Sequence, residues 1–371
     1  MAGVPLSVLD LVPVPSGQTA ERALRNSIDL ARQTELFGYR RYWFAEHHLN
    51  PGVAGTSPAV LLALVAGATS TIRLGSGAVQ MGHRTALSTV EEFGLVDALH
   101  PGRLDLGLGR SGGKPPVTVA ATAPSEGSWT ANGLRIPARF PVDRLLRSPR
   151  LALNRALLQQ PHAEAPDYAE QVDDVLALLR GSYRSEDGLA AHVIPGEGAQ
   201  VEVWILGSSG GQSATVAGRR GLRFAANYHV SPATVLEAVE GYRAAFESSA
   251  ELAAPYVAVS ADVVVAQDDA TARRLAAGYG AWVRSIRSGA GAIPFPTPEE
   301  ADALPWTEED RALVADRLET QFVGSPETVV DGLARLRNAT GADELIITTI
   351  THDHADRVRS YELLAREWLR R

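Results

Sequence analysis

The sequence lacks cysteine entirely and has a single lysine, Lys114, among its 371 residues. Without cysteine there can be no disulfide framework, thiolate zinc site, iron–sulfur cluster or cysteine nucleophile. Such a composition is typical of a chain that works in the reducing cytosol, and we therefore expect a cytoplasmic protein. The single lysine stands in a stretch rich in glycine and proline, which makes it a poor candidate for Schiff-base chemistry.

A positively charged surface is also missing, because 43 acidic residues outnumber 35 basic ones and give a formal charge of −8. The basic residues form no block that would attract a phosphate backbone or an anionic lipid surface, so we expect no nucleic-acid partner and no membrane partner. The apolar start Met1–Val12 has no basic flank and contains Asp10. It is also too short to cross about 30 Å of hydrocarbon, and we expect no secretion signal there.

Hydrophobic residues make up 45% of the chain, and their pattern alternates between strand-like and helical segments. The strand-like runs are Leu6–Val12, Tyr39–Ala45, Ile72–Val79, Leu104–Gly109, Val203–Leu206, Phe224–Ala226, Tyr256–Val265 and Glu344–Thr349. Parallel neighbouring strands need crossover helices between them, and eight such strand–helix units close naturally into a barrel. The sequence therefore predicts the α/β class, as a (β/α)8 TIM barrel with insertions after strand 4 and after strand 7.

The alternative architecture is an open, doubly wound sheet. That fold would place three spaced glycines after its first strand to bind a phosphate, and Val12–Gly17 does not supply them. We therefore prefer the barrel. We expect a single domain over residues 1–371, with insertions at about 111–167 and 287–305, where scattered glycine and proline interrupt the alternation of strands and helices.

Polar residues cluster directly after the predicted strands. They are Glu46-His47-His48, Gln80 to Arg84, Arg110-Ser111, Asn227-Tyr228-His229 and Thr351 to His354. In a TIM barrel the chemistry is carried by the loops that follow the carboxyl ends of the strands. Any one of these histidines is most simply a hydrogen-bonded residue of the rim, but together they mark the mouth of the barrel.

The segment Gly207–Ser213 connects the fifth predicted strand directly to a helix. Its small residues let the backbone approach an anion, and free N–H groups and the helix dipole attract a phosphate. A flexible helix-capping loop is the simpler interpretation of this segment alone. Phosphate sites recur on late strands of such barrels, and this position favours a phosphorylated cofactor.

Five segments together resemble the bacterial luciferase-like flavin-dependent monooxygenases. They are Phe44 to His48, Ile72 to Val79, Gly102 to Arg110, Trp204 to Ser209 and Glu344 to His352. The pattern is closest to the uncharacterised luciferase-family oxidoreductases rather than to luciferase itself. The resemblance implies a TIM barrel that holds reduced FMN at its mouth and uses O2 to oxidise a small hydrophobic organic substrate. It also implies a homodimer, with NAD(P)H acting indirectly through a separate flavin reductase.

The resemblance also implies roles for individual residues. His47 matches the family's catalytic histidine, Arg110 matches an arginine near the flavin phosphate, and Gly77-Ala78 matches a non-proline cis peptide beneath the flavin. The phosphate loop is matched by Ser208, Ser209, Gly211 and Ser213, and no metal is implied. Gly109 stands where luciferase carries a reactive cysteine, so light emission is not implied. Deazaflavin-dependent relatives share the barrel, and only the Glu46-His47-His48 signature favours FMN over their cofactor.

Two other functions stay open at this stage. The first is a metal-dependent TIM-barrel hydrolase, whose ligands would be drawn from His47, His48, His352, Asp353 and His354. Strand one argues against it, because it carries no His-x-His pair and the chain offers no lysine to bridge two metal ions. The second is a barrel that binds flavin without turnover.

The insertions and two helices carry the remaining predictions. The apolar residues of the insertions, which suggest a hydrophobic substrate or simply pack the insertions onto the barrel, are Trp129, Phe140, Ile293, Phe295 and Trp306. The helical segments Pro58–Ala68 and Leu87–Leu99 are expected to form the homodimer interface that the resemblance implies. Their small residues, which would allow close approach of helices, are Ala63, Ala66, Gly67, Ala86 and Gly94.

Overall fold

The structure, a computed structural model, describes residues 3–110, 128–141, 148–160, 162–164 and 166–370. Its strands are β1 (Leu6–Asp10), β2 (Arg41–Phe44), β3 (Arg73–Ser76), β4 (Val79–Gln80), β5 (Leu104–Gly109), β6 (Trp129–Ala131), β7 (Leu134–Ile136), β8 (Glu202–Gly207), β9 (Arg223–Asn227), β10 (Val257–Val265), β11 (Phe322–Gly324) and β12 (Glu344–Thr348). Its helices are α1 (Ala20–Leu36), α2 (Pro58–Ala66), α3 (Ala86–Leu99), α4 (Pro149–Leu158), α5 (Tyr168–Leu179), α6 (Gln212–Arg219), α7 (Val235–Ala245), α8 (Asp269–Leu275), α9 (Tyr279–Arg287), α10 (Pro298–Ala303), α11 (Glu308–Thr320), α12 (Pro326–Thr340) and α13 (His354–Trp368). Within these residues, no helix is long and apolar enough to cross a membrane.

Eight of the strands run parallel and close into a barrel in the order β1, β2, β3, β5, β8, β9, β10 and β12. The ring is completed where β12 pairs with β1, with Leu345 beside Leu6. Each of the eight predicted apolar runs overlaps one of these strands. The predicted (β/α)8 TIM barrel is confirmed.

The side chains of each strand alternate between two cores, because successive residues of a strand point to opposite faces. In β2, Tyr42 and Phe44 pack in the core between strands and helices, whereas Trp43 joins a second core inside the barrel. Trp204 of β8 joins the same inner core and meets Trp43 edge to face, with ring centroids 5.0 Å apart. These two indoles fill the middle of the barrel.

The amino ends of the strands enclose a buried ion cluster, here called the barrel-base cluster, made of Arg41, Asp105, Glu202 and Glu344. Arg41 Nη1 lies 2.8 Å from an oxygen of Asp105 and 2.9 Å from one of Glu202, and Arg41 Nε lies 3.0 Å from Glu344. The cluster closes this end of the barrel with paired charges. Space for a ligand is therefore expected at the opposite end, where the strands finish.

Two predicted elements are interrupted in the structure. The third predicted strand, Ile72–Val79, is divided into β3 and β4 by the cis peptide bond between Gly77 and Ala78. The sequence from Ala270 to Ile286 also predicts one continuous helix, but the structure has two there, α8 and α9. Gly278 stands at this break and packs closely on Phe295, whose ring would lie 2.9 Å from a Cβ at that position. Glycine also has a low helix propensity, so both the close packing and the helix propensity favour a break at this position.

Three strands outside the barrel were not expected from the sequence. In the first insertion β6 and β7 form an antiparallel hairpin around Asn132-Gly133, both with positive φ, which is the turn that an Asn-Gly pair favours. The third is the short β11, which pairs in parallel with the end of β10. Ser111 and the other residues of 111–127 and 142–147 lie outside the described residues.

Candidate active site

A cavity of about 700 Å³ opens at the carboxyl ends of the barrel strands. Its wall is built in turn by residues that follow β2, β3, β5, β8 and β9, among them His47, Ala78, Arg110, Ser208 and His229. Its volume lies in the range of about 300–1,000 Å³ that is usual for ligand and cofactor sites. Five of the strands thus contribute a residue to one space, as the barrel rule predicts, whereas none of Thr351 to His354 lines it.

Seven of the eight residues predicted to form the site line this cavity. They are His47, Gly77, Ala78, Arg110, Ser208, Ser209 and Ser213. The eighth, Gly211, does not line it, because it is the residue that starts helix α6. Its neighbour Gln212 lines the cavity instead.

His47 is the third residue after the buried end of β2, and its backbone N–H donates to the carbonyl of Gly55 at 2.7 Å. Its Nδ1 atom is buried and has no hydrogen-bond partner. Burial lowers the pKa of His47 to about 4, helped by the charge of His48 and opposed by that of Glu46. The imidazole is therefore neutral near pH 7.

Glu46 forms the centre of a hydrogen-bond cluster. One carboxylate oxygen lies 2.9 Å from His48 Nε2 and 3.0 Å from His83 Nε2, and the other accepts from the backbone N–H of Gln80 at 2.9 Å. Burial by itself would raise the pKa of Glu46, but these hydrogen bonds and the charge of Arg84 outweigh it and lower the pKa to about 2. The carboxylate ties the end of β2 to β4, just after the Gly77-Ala78 bond.

The same cluster is the one group of three possible metal-ligand atoms within 4.8 Å of one another in the described part of the chain: Glu46, His48 and His83. Each of these side chains is already engaged in the hydrogen bonds of the cluster, and the Arg84 guanidinium lies 3.4 Å from the shared oxygen. The positive charge of Arg84 opposes the binding of a metal cation at this position, so we interpret the group as a hydrogen-bond network rather than a metal site.

The ligand set of the alternative hydrolase is not assembled. His352 Nε2 lies 3.1 Å from the carbonyl oxygen of Ser16, and His354 Nε2 lies 2.7 Å from a carboxylate oxygen of Asp29. His48 instead contacts Glu46 on the other side of strand β1. The histidines that follow β2 and those that follow β12 therefore contact different segments of the chain and do not form one ligand set.

The phosphate-loop segment Gly207–Ser213 lies at one end of the cavity and leads directly into α6. A Cβ on Gly207 would lie 2.9 Å from the ring of Phe224, and one on Gly210 would lie 2.9 Å from the carbonyl oxygen of Glu237. Only glycine fits these two close approaches. The first turn of α6 leaves backbone N–H groups without helical partners, and such groups bind anions.

Arg110 also lines the cavity, and it follows β5, the strand that pairs with β8 beside this loop, with Gly109 next to Leu206. Together with the serine hydroxyls of the phosphate loop it supplies the positive charge and the donors that a phosphate monoester needs. The residues present therefore fit the phosphate of a flavin mononucleotide.

Asp262 of β10 and Arg317 of α11 also line the cavity, and together with Tyr279 they form a polar group that sequence reasoning missed. Arg317 Nη2 lies 3.1 Å from Asp262 and 2.6 Å from the hydroxyl of Tyr279, and Tyr279 also donates to Asp262. Burial raises the pKa of Asp262, although the charge of Arg317 opposes the shift. One signal was visible in the sequence: Asp262 is a carboxylate in the middle of the apolar run Tyr256–Val265.

The apolar residues expected to shape the pocket lie elsewhere. None of Trp129, Phe140, Ile293, Phe295 and Trp306 lines the cavity. Phe295 is buried in the inner core, and Trp306 packs under the guanidinium of Arg284, 4.8 Å from the ring centroid. Apolar surface comes instead from residues such as Leu11, Trp43, Val53, Trp282 and Ile286. Phe295 and Trp306 therefore pack within the protein, which was the other interpretation open for these residues, whereas Trp129 is 49% exposed.

Comparison with known proteins agrees with this geometry. The sequence matches the family of luciferase-like monooxygenases over residues 4–131 and 150–344. It is 37% identical over 366 residues to the uncharacterized protein YvbT of Bacillus subtilis (strain 168), covering 99% of this chain and 97% of that protein. It is 33% identical over 361 residues to a luciferase-like monooxygenase of Escherichia coli (strain K12), covering 97% and 96%.

Solved structures give the same result. Apo-MsnO8 superposes with a TM-score of 0.78 at 31% identity, over 99% of this chain and 98% of that one. Two further structures share the fold at lower identity. The oxygenating constituent of 3,6-diketocamphane monooxygenase from Pseudomonas putida, solved in complex with FMN, has a TM-score of 0.66 at 18% identity, with 99% of each chain covered. A secondary alcohol dehydrogenase dependent on coenzyme F420 has a TM-score of 0.59 at 14% identity, with 98% of each covered. This chain belongs to the luciferase-like monooxygenase family.

Proposed function

We propose that this protein is an FMN-dependent monooxygenase that uses reduced FMN and O2 to oxidise a small hydrophobic organic substrate. The observation that carries the proposal is the arrangement of the cavity. An anion-binding helix start and Arg110 lie at one end, the backbone of Gly77-Ala78 forms part of the wall, and the neutral imidazole of His47 faces the same space. The fold relative solved with FMN supports the choice of cofactor.

In this proposal the chain's own residues bind, orient and protect. Ser208, Ser209, Ser213 and Arg110 would hold the phosphate of FMN, which supplies the electrons that activate O2. His47 would present a neutral imidazole to the reacting groups, because its pKa of about 4 lies well below neutral pH, and would hold its single ring proton there as a hydrogen-bond donor. The apolar wall excludes water from the substrate's place.

We also propose the homodimer, on the evidence of an apolar surface on two neighbouring helices. On α2 and α3 the side chains of Val60, Leu64, Leu87, Leu95 and Leu99 are each 47–79% exposed. A contiguous exposed apolar surface is typical of an interface. Of the small residues expected there, Gly94 packs inside its own chain instead, because a Cβ would lie 2.5 Å from Gly196.

The binding of FMN can be tested by changing the phosphate loop. Ser209→Glu places a carboxylate where we expect a phosphate, and repulsion between unit charges about 4 Å apart is worth about 1–4 kcal/mol. We expect the Kd for FMN to rise at least tenfold in a fluorescence titration. Ser248→Glu, which puts the same charge on an exposed serine of another loop, is the matched control.

Equal affinity for FMN in the wild type, Ser209→Glu and Ser248→Glu would overturn the phosphate site. Incorporation of ¹⁸O from ¹⁸O2 into small hydrophobic test substrates by the complex with reduced FMN then separates an oxygenase from a barrel that only binds flavin, because reduced FMN consumes O2 by itself. Adding NAD(P)H alone tests the proposed need for a separate reductase, since an enzyme that reduced its own flavin would consume NAD(P)H without one.

A further inference from the structure

Two histidines face the cavity from different strands. His47 follows β2 and His229 follows β9, and both side chains are partly accessible from the cavity that they line. They lie close enough for the charge of one to affect the pKa of the other. The proposed function uses His47 alone, so we considered what His229 contributes.

The surroundings of His47 decide which of its nitrogens carries the proton. Its Nδ1 atom is buried without a partner. A buried N–H that makes no hydrogen bond is rarer in proteins than a buried acceptor that makes none. The proton is therefore better placed on Nε2. A neutral His47 of this form presents a hydrogen-bond donor to the cavity.

His229 has the opposite environment. Its Nδ1 lies 2.6 Å from the hydroxyl oxygen of Ser260, and that hydroxyl is also 3.4 Å from the carbonyl oxygen of Ala226. A carbonyl can only accept, so the serine hydrogen satisfies that contact when it points to Ala226. Ser260 Oγ is then the acceptor for an Nδ1–H of His229. In this arrangement both contacts are hydrogen bonds, and Nε2 of His229 carries a free lone pair.

The charged neighbours keep this imidazole neutral. Burial lowers the pKa of His229 to about 3, and the charges of Arg317 and His47 act in the same direction. The carboxylate of Asp262, which could have stabilised an imidazolium, is engaged by Arg317 and Tyr279. His229 thus faces the cavity as a neutral acceptor.

We propose that His229 is a second proton-handling residue of this cavity, with its Nε2 accepting while the Nε2–H of His47 donates, and that Ser260 positions it by holding the proton on Nδ1. This inference rests on the proposed function. One oxygen atom of O2 leaves a monooxygenation as water, so the site has to direct hydrogen bonds of both polarities at oxygen atoms. A donor and an acceptor on two sides of one cavity meet that need.

The first experiment reads the tautomers without any cofactor. In the apo protein labelled with ¹⁵N-histidine, long-range ¹H–¹⁵N correlation spectra at pH 7.5 show which ring nitrogen carries the proton. We expect Nδ1–H for His229 and Nε2–H for His47. Ser260→Ala should move the His229 proton toward Nε2, and Ser260→Thr, which keeps the hydroxyl, should restore the wild-type pattern. A wild-type His229 protonated on Nε2, or one unaffected by Ser260→Ala, would overturn the inference.

The second experiment measures the reaction of the reduced FMN complex with O2 by rapid mixing. His229→Asn keeps a side-chain N–H near Ser260 but removes the Nε2 acceptor, and we expect the rate to fall by about 100-fold or more. His192→Asn is the matched control, because His192 is an exposed histidine whose side chain is 64% accessible. An unchanged rate in His229→Asn with full FMN occupancy would overturn the inference.

The two proposals fail in different ways. If the wild-type protein does not bind FMN, the proposed function falls, while the tautomers in the apo protein still test the role of Ser260. If the wild-type protein binds FMN and its complex reacts with O2, the proposed function stands. If the His229 and Ser260 variants then show the same rate and the same tautomers as the wild type, this inference alone falls.

Discussion

Arg41 holds three carboxylates together at the base of the barrel, and Arg41→Met removes that charge with little change in side-chain length. Asp105 and Glu344 are fully buried, and each lies within 3.0 Å of the guanidinium. Breaking a buried ion pair by removing one partner typically costs about 3–5 kcal/mol, because the other charge is left without compensation. Arg73 also contacts Asp105, at 2.7 Å, and would still neutralise part of the Asp105 charge in Arg41→Met. We therefore expect a loss near the lower end of that range, about 3 kcal/mol.

The pH dependence of this loss follows from the pKa of Glu202. Burial acts to raise this pKa, but the charges of Arg41, Arg73 and Arg223 outweigh it, so the folded-state pKa is lowered. In the wild type this carboxylate therefore stabilises the fold above its ordinary pKa, and the contribution disappears as the pH falls through the folded pKa. In Arg41→Met the Glu202 carboxyl loses the charge of Arg41, so the lowering of its folded-state pKa becomes smaller. The difference between variant and wild type should shrink as the pH falls from 7 toward 4.

Urea unfolding followed by circular dichroism at several pH values measures both effects. Arg40→Met is the matched control, because Arg40 is the neighbouring arginine and its side chain is exposed. A loss below about 1 kcal/mol at pH 7, equal to that of Arg40→Met, would show that the barrel-base cluster does not hold the fold as argued. A loss that grew as the pH fell would contradict the electrostatic explanation.

Two further predictions concern the site and the interface. His47→Ala should keep FMN bound and lower the oxidation rate by about 10²–10⁴-fold in single-turnover experiments. His48→Ala should lower the rate less, because His48 contacts Glu46 and does not line the cavity. Wild-type turnover by His47→Ala with full FMN occupancy would remove this residue from the mechanism. Leu64→Glu should change the species that sediments at micromolar concentration from a dimer to a monomer near 39.5 kDa. Leu157→Glu, which changes an exposed leucine of α4, should leave the dimer intact. A wild-type protein that sediments as a single 39.5 kDa species would refute the homodimer.

Features that depend on residues close together in the sequence could be predicted from the sequence. The parallel strands are buried on both faces, so each appears as a short continuous apolar run. The loop Gly207–Ser213 could be placed at the cavity because its small residues stand between the run Val203–Leu206 and a helix, and no distant partner is needed to recognise it. The resemblance added the cis peptide at Gly77-Ala78, and the structure has that bond.

Features that depend on residues distant in the sequence were missed. Asp262 and Arg317 form one side of the cavity, but they belong to a strand and a helix that only the closed barrel brings together. His83 joins Glu46 in the same way, across β3 and β4. Composition left the apolar residues of the insertions between the pocket and packing, and their contacts, such as that of Arg284 with Trp306, decide where they lie.

Trp43 has a consequence for how the protein can be observed. Its ring lines the cavity, and its Nε1–H donates to Asp105 in the barrel-base cluster at 2.9 Å. The emission of an indole depends on its polar contacts and on what covers its face. Trp43 therefore serves as an optical reporter built into the barrel, whose signal should respond to filling of the cavity from one side and to disturbance of the buried charges from the other.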